Sequence, residues 1–297
     1  MTRKKIINKQ FINHIKKGFL CNPMALFVTS LNSGSNGNCY YIGNGTDAVL
    51  IDVGISCRET EKRMGQLGLS MKTVKAIFVS HEHTDHIKGV STLANKYKLP
   101  VYITDATAKQ GPGLIRHLAQ TFKADVPVTI GELLVTAFVK EHDAADPHSF
   151  IINYKEINVG VFTDIGISCA RVIKYFNKCN ACFLEANYDE NLLENGRYPL
   201  HLKNRIRGGR GHLSNVQAHN LFITHRSPAM SHLILSHLSK ENNTPQLVQQ
   251  LFTATVAGVE IIVASRYEAT PVYTITTNDL QKQVLHKMIK PVQLGLF

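Results

Sequence analysis

The sequence SHEHTDH, at residues 80–86, places four side chains of the kind that bind metal ions within six consecutive positions. It follows the run "VKAIFV", whose β-branched and aromatic residues predict a strand. In an extended turn after that strand, His81 and His83 project to the same side, while Asp85 and His86 are offset and can reach a second ion. Histidine and aspartate suit zinc, manganese or iron(II), and the absence of cysteine disfavours a closed structural zinc site. The stretch therefore predicts a metal site, with a polar turn capped by Asp85 as the alternative.

Other residues of the same kind stand at the ends of predicted strands. Short runs such as "AVLID", "VGVFTD" and "LILSH" each end in an acidic residue or a histidine. These end residues are Asp52, His81, His142, Asp164, Glu185 and His237. If the strands run in the same direction where they meet, their end residues converge at one sheet edge, where a scaffold can hold a site.

Helical patterns alternate with the strands. Examples are "HIKGVSTLANKYK", "CARVIKYFNKCN", "SNVQAHNLFITH" and "TPQLVQQLFTAT", the last with Thr244 as N-cap and Pro245 at the first helical position. Intermixed strands and helices predict one layered α/β or α+β domain, which we expect to span residues 24–288. A chain of 297 residues, 44% of them hydrophobic, can bury such a core.

Positive charge is concentrated in the first part of the chain. The net charge is +11, and residues 1–23 carry six lysines and arginines and no acidic residue. This charge suggests a polyanionic partner. Apolar residues at four-residue spacing would also allow a basic amphipathic helix for a membrane surface or nucleic acid. We expect instead a disordered basic extension or an upstream start, because Met24 opens a strand-like run.

Apolar runs and cysteines predict the compartment. No run reaches the roughly 18 residues that span a bilayer, and residues 1–23 lack the pattern of a secretory signal. The six cysteines are scattered, as suits reduced thiols. Cys179 and Cys182 border an apolar run, which favours buried thiols over a zinc knuckle. We therefore expect a cytoplasmic protein without a membrane span.

"HEHTDH" resembles the HxHxDH signature of the metallo-β-lactamase superfamily, and the later strand-end residues follow in that superfamily's order. The words "SLNSGSNGNCYYI", "LIDVGIS", "GHLSN" and "LSHLSKENN" are similar to its YycJ/WalJ-like branch, cytosolic bacterial enzymes associated with DNA exonuclease activity. The resemblance covers roughly residues 27–270. It implies a four-layer αββα sandwich.

The resemblance also implies a dinuclear site for two divalent ions, zinc or manganese, with iron as a further option. Its ligands would be His81, His83 and His142 for the first ion and Asp85, His86 and His237 for the second, with Asp164 bridging the two. His148 is the rival of His142. Asp52 and Glu185 would support the ligands from behind, and for Asp52 a turn residue is the alternative. Two ions about 3.5–4 Å apart would activate a bridging hydroxide to attack a phosphodiester, with Asp85, Asp164 and His212 as catalytic residues.

His212 in "GRGHLSN" resembles a histidine of RNase Z-like enzymes that contacts the scissile phosphate or protonates the leaving oxygen. The alternative is a helix-capping or solvent-exposed histidine. Just upstream, "LKNRIRGGRGH" reads as a glycine-containing loop rich in positive charge. Its four basic residues suit successive phosphates of a nucleic acid, and a solvated loop is the alternative. They are Lys203, Arg205, Arg207 and Arg210.

We expect a metal-dependent hydrolase, most specifically a DNA exonuclease acting 5′ to 3′ in replication or repair. The missing secretory signal disfavours a secreted β-lactamase, and His83 stands where flavodiiron oxidoreductases of this fold have a glutamate. RNA or tRNA 3′ processing and a cyclic phosphodiesterase are the alternatives, with RNA as a possible partner. A non-catalytic, metal-bound interaction protein is the alternative of a different class.

The last residues, "KPVQLGLF", offer apolar side chains beyond the expected domain. Residues 289–297 therefore form a C-terminal tail, and "QLGLF" resembles the short peptides with which bacterial replication and repair proteins bind the sliding clamp. The matching residues are Gln293, Leu294, Leu296 and Phe297. Gly295 departs from the usual serine or aspartate. A tail packed on its own domain is the alternative.

Overall fold

A computed structural model describes residues 24–111, 116–254 and 258–277 of the chain. Its strands form two sheets of seven, and buried side chains from both sheets share one cluster, so the sheets pack face to face. Helices cover the outer face of each sheet. This architecture confirms the predicted four-layer αββα sandwich. The predicted N-terminal extension (1–23) and C-terminal tail (289–297) lie outside the described residues.

The first sheet combines the early strands with one late strand. Its members are β1 (Ala25–Asn32), β2 (Cys39–Gly43), β3 (Ala48–Ile51), β4 (Val74–Phe78), β5 (Val101–Tyr102), β6 (Ala119–Gln120) and β14 (Tyr273–Thr276). Their order is β14-β1-β2-β3-β4-β5-β6. Pairing is antiparallel from β14 to β3 and parallel from β3 to β6. The carboxyl ends of β3 and β4 therefore meet at one edge.

The second sheet has the same two-part design. Its members are β7 (Pro127–Ile130), β8 (Leu133–Val139), β9 (His148–Tyr154), β10 (Ile157–Phe162), β11 (Ala181–Glu185), β12 (His232–Ser236) and β13 (Glu260–Val263). Their order is β13-β12-β11-β10-β9-β8-β7. Pairing is antiparallel from β7 to β10 and parallel from β10 to β13, so the carboxyl ends of β10, β11 and β12 also share an edge.

Several helices begin at a capping side chain. The helices of the described residues are α1 (Cys57–Gln66), α2 (Thr84–Ile87), α3 (Val90–Tyr97), α4 (Asp105–Gln110), α5 (Ala170–Phe176), α6 (Glu190–Asn195), α7 (Leu200–Arg207), α8 (Asn215–His225) and α9 (Pro245–Thr253). Thr244 caps α9 and Pro245 occupies its first turn, as predicted. Ser214 and Gln217 form a capping box at the start of α8. None of these helices combines the length and apolar composition needed to cross a bilayer.

Aromatic side chains join the two sheets. Phe78 of β4 meets Phe150 of β9 with ring centroids 5.6 Å apart, and Tyr40 of β2 meets Phe183 of β11 at 4.8 Å. All four rings are buried. Burying a side chain of this size contributes roughly 1.5–3 kcal/mol. The packed interior therefore fixes the relative position of the strand ends, and of the residues that follow them.

Candidate metal centre

Strand ends from both sheets carry the predicted metal ligands to one place. His81 follows β4 in the first sheet, whereas Asp164 and His237 follow β10 and β12 in the second. The residues that converge there are His81, His83, Asp85, His86, His142, Asp164 and His237. The structure thus brings together every residue that the sequence predicts as a ligand, and metal binding by these residues stays a prediction.

The donor atoms form four overlapping groups, two of which lie close to Asp164 without including it, while the other two are His81, His86 and Asp164, and Asp164, Glu185, His212 and His237. Within each group the donor atoms lie within 4.8 Å of one another. The first group is His81, His83 and His142, and the second is Asp85, His86 and His237. Asp164 Oδ2 lies 3.2 Å from His86 Nε2, and Asp164 Oδ1 lies 3.8 Å from His142 Nε2. A carboxylate in this position can serve both groups.

Asp52 holds the histidines of the first sheet from behind. Its Oδ2 accepts hydrogen bonds from His86 Nδ1 and from the Ser80 hydroxyl, both at 2.7 Å, and its Oδ1 accepts one from the Ser80 amide at 2.8 Å. The Ser80 hydroxyl oxygen lies 2.9 Å from His81 Nδ1. Because the outer nitrogen of each ring is engaged, the Nε2 atoms of His81 and His86 are left to face the centre.

Glu185 supports the histidines of the second sheet in the way that Asp52 supports those of the first. Its Oε1 lies 2.8 Å from His212 Nδ1 and 2.9 Å from His237 Nδ1, and its Oε2 accepts from the amides of Ile165 and Leu213. Burial alone would raise the pKa of Glu185, but the two histidines lower it to about 2. An ionised carboxylate only accepts hydrogen bonds, so both Nδ1 atoms must donate. The Nε2 atoms of His212 and His237 therefore face the site.

The inner atoms of the site lack hydrogen bonds that would satisfy them. Asp164 Oδ2 and His237 Nε2 are buried and make no hydrogen bond. His83 Nδ1 lies 3.0 Å from His81 Nε2 and 3.4 Å from His142 Nε2, so three ring nitrogens point at the same small volume. Unsatisfied buried polar atoms cost free energy, which a bound cation offsets. This donor set therefore fits divalent ions such as zinc, manganese or iron(II).

Burial and neighbouring charge set the protonation of the candidate ligands. Burial lowers the pKa of His142 to about 4 and the pKa of His81 well below its usual value, so both rings are neutral at neutral pH. Burial also opposes the charged form of His237, but three surrounding carboxylates raise its pKa to about 10. Because a histidine must be neutral to bind a cation, a metal in the second group has to displace a proton.

Backbone strain is concentrated at this site. Asp52, Asp164 and His237 adopt left-handed conformations, with φ of 59°, 54° and 57°. Such conformations cost on the order of 1–3 kcal/mol each in a residue with a Cβ atom. Hydrogen bonds hold the turns in place, including one of 2.7 Å from the His237 amide to the Ser33 hydroxyl. The surrounding structure thus stabilises the turns that aim these side chains.

Gly54 allows two loops of the site to touch. Its amide donates to Asn38 O at 2.8 Å, and the Asn38 amide donates to Asp85 O at 2.7 Å. A Cβ atom at Gly54 would lie 1.7 Å from Asp85 O and 2.6 Å from Asn38 N. The loop that carries Asp85 can therefore reach its position only if residue 54 has no side chain.

We expect Gly54→Ala to displace Asp85 and to lower the free energy of unfolding by about 1–3 kcal/mol, as overpacking does elsewhere. Melting temperature and calorimetric titration of the metal-free protein with Mn²⁺ would measure stability and affinity. Gly65→Ala is the matched control, because a Cβ atom there meets nothing within 4 Å. A Gly54→Ala protein that melts and binds Mn²⁺ like the wild type would contradict this interpretation.

A cleft of about 250 Å³ opens over the donor atoms. His83, Asp85 and His212 line it, together with Tyr198 and Arg205 from the segment that contains α7. Arg205 also pairs with the Asp143 carboxylate. The cleft thus places Arg205 and His212, neither of which is a predicted metal ligand, next to both donor groups.

The four basic residues predicted to contact phosphates do not lie together on one loop. The stretch expected to be a loop forms α7 as far as Arg207, which corrects that expectation. Lys203 and Arg207 both contact Glu194, and Arg210 donates to a main-chain carbonyl of the site at 3.1 Å. Of the four, Arg205 alone lines the cleft.

The rival residues lie away from the donor groups. His148 is the first residue of β9, and its Nδ1 lies 2.9 Å from Asp146 O. Cys179 and Cys182 are both buried. Within the described residues, none of these three side chains belongs to a donor group. His212 is no helix cap, since Ser214 caps the helix that follows it.

Two polar residues next to the site escaped sequence reasoning. Lys140 is buried, and its Nζ donates to Thr163 O at 2.7 Å, immediately before Asp164. Burial lowers the pKa of this lysine. Asn38 Nδ2 lies 3.2 Å from Asp85 Oδ2. Lys140 directly follows the apolar run "LLVTAFV", and a lysine in that place could have indicated a buried polar residue. Asn38 lies in a stretch that resembles an ordinary tight turn, so nothing in the sequence indicated its role.

Comparisons with known proteins agree with this fold. A family model described as the metallo-beta-lactamase superfamily matches residues 33–163. Exodeoxyribonuclease YycJ of Bacillus anthracis is 35% identical over 230 residues, which cover 76% of this chain and 87% of that protein. Exodeoxyribonuclease WalJ of Streptococcus pneumoniae serotype 2 is 28% identical over 237 residues, 78% of this chain and 88% of that protein. The crystal structure of the metallo-beta-lactamase fold protein YhfI from Bacillus subtilis superimposes with a TM-score of 0.65 at 18% identity, covering 84% of this chain and 99% of YhfI.

Proposed function

The chain belongs to the metallo-β-lactamase superfamily, and from this membership we propose that it is a metal-dependent DNA exonuclease acting 5′ to 3′. The family, together with relatives described as exodeoxyribonucleases, supports a metal-dependent hydrolase of the nuclease or phosphodiesterase type. One observation carries the finer proposal. Asp164 lies 3.2 Å from a histidine of one donor group and 3.8 Å from a histidine of the other, and both groups adjoin a cleft lined by His212 and Arg205.

We propose that the two donor groups hold one divalent ion each, with Asp164 between them. Such ions, zinc or manganese, polarise phosphoryl oxygens and lower the pKa of water when bound. Asp85 and Asp164 then balance positive charge beside the substrate. Asp52 and Glu185 keep the ligand rings in place and fix which nitrogen carries the proton. The protein thus supplies placement and charge.

His212 is suited to handle the leaving group. Its Nδ1 donates to Glu185, which leaves Nε2 directed toward the cleft. Glu185 also fixes the orientation of the ring, as a buried carboxylate does for a catalytic histidine elsewhere. We therefore propose that His212 donates a proton from Nε2 to the departing 3′ oxygen of the substrate.

Arg205 is suited to contact a phosphate of the strand. It lines the cleft, and more than half of its side chain is exposed, at 57%. Its pairing with Asp143 leaves guanidinium N–H groups available, and an arginine can bind a phosphate through two parallel hydrogen bonds. Lys203, Arg207 and Arg210 would act, if at all, through the field they create around the cleft.

One assay separates the proposed function from its alternatives. Mn²⁺-loaded protein would be incubated with cyclic nucleotides and with end-labelled oligonucleotides. The oligonucleotides would be single- and double-stranded, each as DNA and as RNA, labelled at the 5′ or the 3′ end. We expect mononucleotide release from 5′-phosphorylated DNA. Preferential trimming of RNA 3′ ends would favour RNA processing, and hydrolysis of cyclic nucleotides alone would favour a cyclic phosphodiesterase. Absence of any hydrolysis would support the non-catalytic interaction protein.

The C-terminal peptide "QLGLF" lies outside the described residues, and we propose that it binds the bacterial sliding clamp. Leu294, Leu296 and Phe297 would enter an apolar pocket, with Gln293 as the polar contact and Pro291 restricting the approach. This proposal fits a cytoplasmic DNA enzyme whose single domain we place at residues 24–288.

Deletion of residues 293–297 is expected to abolish clamp binding, because it removes all the apolar anchors at once. Surface plasmon resonance against purified clamp would show the loss. Melting temperature and nuclease activity on short oligonucleotides should stay unchanged. A drop in melting temperature of several degrees would instead mean that the tail packs on its own domain.

A further inference from the structure

A second pocket of about 340 Å³ adjoins the cleft of the metal centre. Leu238 and Ser239, which follow the candidate ligand His237, line both spaces. The far side of this pocket is formed by residues 263–268, which are the last residue of β13 and the segment that follows it. The pocket and the cleft therefore share a wall, so a nucleic-acid strand that lies over the donor atoms can continue into the pocket.

The segment Ser265–Glu268 is firmly anchored to the loop after β1. The Ser33 amide donates to Ser265 O at 3.2 Å, and Asn36 Nδ2 donates to Arg266 O at 2.9 Å. These bonds fix the backbone on one side of the pocket. The loop that they join to it also carries Ser35, which lines the metal cleft.

Arg63 connects the same segment to β1 through hydrogen bonds. Its Nη2 donates to Tyr267 O at 3.0 Å, and its Nη1 donates to Leu31 O at 2.7 Å and Asn32 Oδ1 at 2.6 Å. The arginine is buried, with 8% of its surface exposed. Burying a charged side chain is costly unless it is fully bonded, so this one stabilises a defined conformation of the segment.

Tyr267 is the exposed residue that this anchoring presents. Its side chain is 74% exposed at the rim of the pocket, although its main-chain oxygen is held by Arg63. Because the backbone that carries this ring is already held in place, stacking of a base on the ring costs side-chain rotamer freedom but little further backbone entropy.

Positive charge lines the pocket beside this ring. Arg266 Nη2 donates to Leu238 O at 2.8 Å, and within the described residues its Nε and Nη1 make no hydrogen bond. Lys240 is exposed in the same pocket, and Glu268 is the one acidic residue among those that line it. An aromatic ring next to two cationic side chains is the combination that binds single-stranded nucleic acid, since the ring stacks on a base and the cations contact phosphates.

We propose that this pocket binds the nucleotide adjacent to the scissile phosphodiester, with its base stacked on Tyr267 and its phosphate near Arg266 and Lys240. The proposal rests on the proposed nuclease function, because it assigns the substrate to the same strand. Stacking does not distinguish one base from another, so the subsite favours single-stranded ends without sequence preference.

Fluorescence anisotropy of the full chain in EDTA would test this subsite without hydrolysis. The probes are a 5′-phosphorylated single-stranded oligonucleotide and the same oligonucleotide with its three terminal bases at each end removed. We expect Tyr267→Ala to weaken binding of the intact probe about fivefold to a hundredfold. Tyr267→Phe and Tyr267→Trp should retain affinity. Val126→Ala is the control, an exposed apolar side chain beside β7, at the opposite edge of the second sheet from β13.

The decisive measurement is whether the loss of affinity caused by removing the Tyr267 ring depends on the presence of the terminal bases. The wild type should prefer the intact probe, and Tyr267→Ala should bind both probes equally, with an unchanged melting temperature. If the wild type degrades DNA but binds both probes equally, or if Tyr267→Ala binds like the wild type, the subsite is wrong and the nuclease function stands. If the wild type neither binds nor degrades DNA, both proposals are wrong.

Discussion

Asp164→Ala is expected to lower the rate of DNA hydrolysis by on the order of 100-fold to 1,000-fold, the range found in other hydrolases for the loss of one preorganised polar group of the active site. The carboxylate lies 3.2 Å from His86 of one donor group and 3.8 Å from His142 of the other, so we expect its loss to reduce the number of Mn²⁺ ions bound per chain as well. Initial rates on 5′-phosphorylated DNA and metal content after dialysis would measure the two effects.

The effect of Asp164→Ala should be specific to the site. Asp105→Ala is the matched control, because Asp105 is an exposed carboxylate at the first residue of α4 and belongs to no donor group of the described residues. His237→Ala should reproduce the loss of activity while sparing the first donor group. An Asp164→Ala protein that keeps full activity and full metal content would refute the assignment of the site.

Much of this site was predictable because it is encoded locally. "SHEHTDH" supplies four donors in one turn, and the other donors each end a run that had to be a strand. Once strands of each sheet run parallel, their carboxyl ends must meet. The family resemblance added the order of the ligands, and its division of them into two sets stays a prediction, because the observed donor groups overlap.

The remaining features depend on contacts between distant segments. The glycines after Arg207 made this stretch look like a loop, whereas it forms α7. An isolated helix of this length is only marginally stable, so its stability comes from packing against the rest of the protein. The very short strands β5 and β6 exist because neighbouring strands supply their hydrogen bonds. No local pattern could show that Arg63 holds Tyr267, 204 residues later in the chain.

Glu185→Gln should be the most informative change behind the metal centre. The carboxylate accepts four hydrogen bonds, two from histidine rings and two from amides. An amide side chain of the same shape must direct its NH₂ group at one pair of these donors, so two bonds become repulsive. We expect activity or metal affinity to fall about 10-fold to 100-fold, as for other residues that support metal ligands.

The two rings held by Glu185 make separate contributions that can be resolved. Misplacing His237 should weaken Mn²⁺ binding, whereas misplacing His212 should lower kcat at saturating Mn²⁺. In a His212→Ala background, Glu185→Gln should therefore cost less in kcat than it does in the wild type, because residues that act as a unit are not additive. Glu141→Gln, at an exposed glutamate next to His142, should stay within about twofold of the wild type, as surface substitutions usually do. Strictly additive losses in kcat would show that Glu185 acts independently of His212, since the hydrogen bond between them would then carry no catalytic coupling.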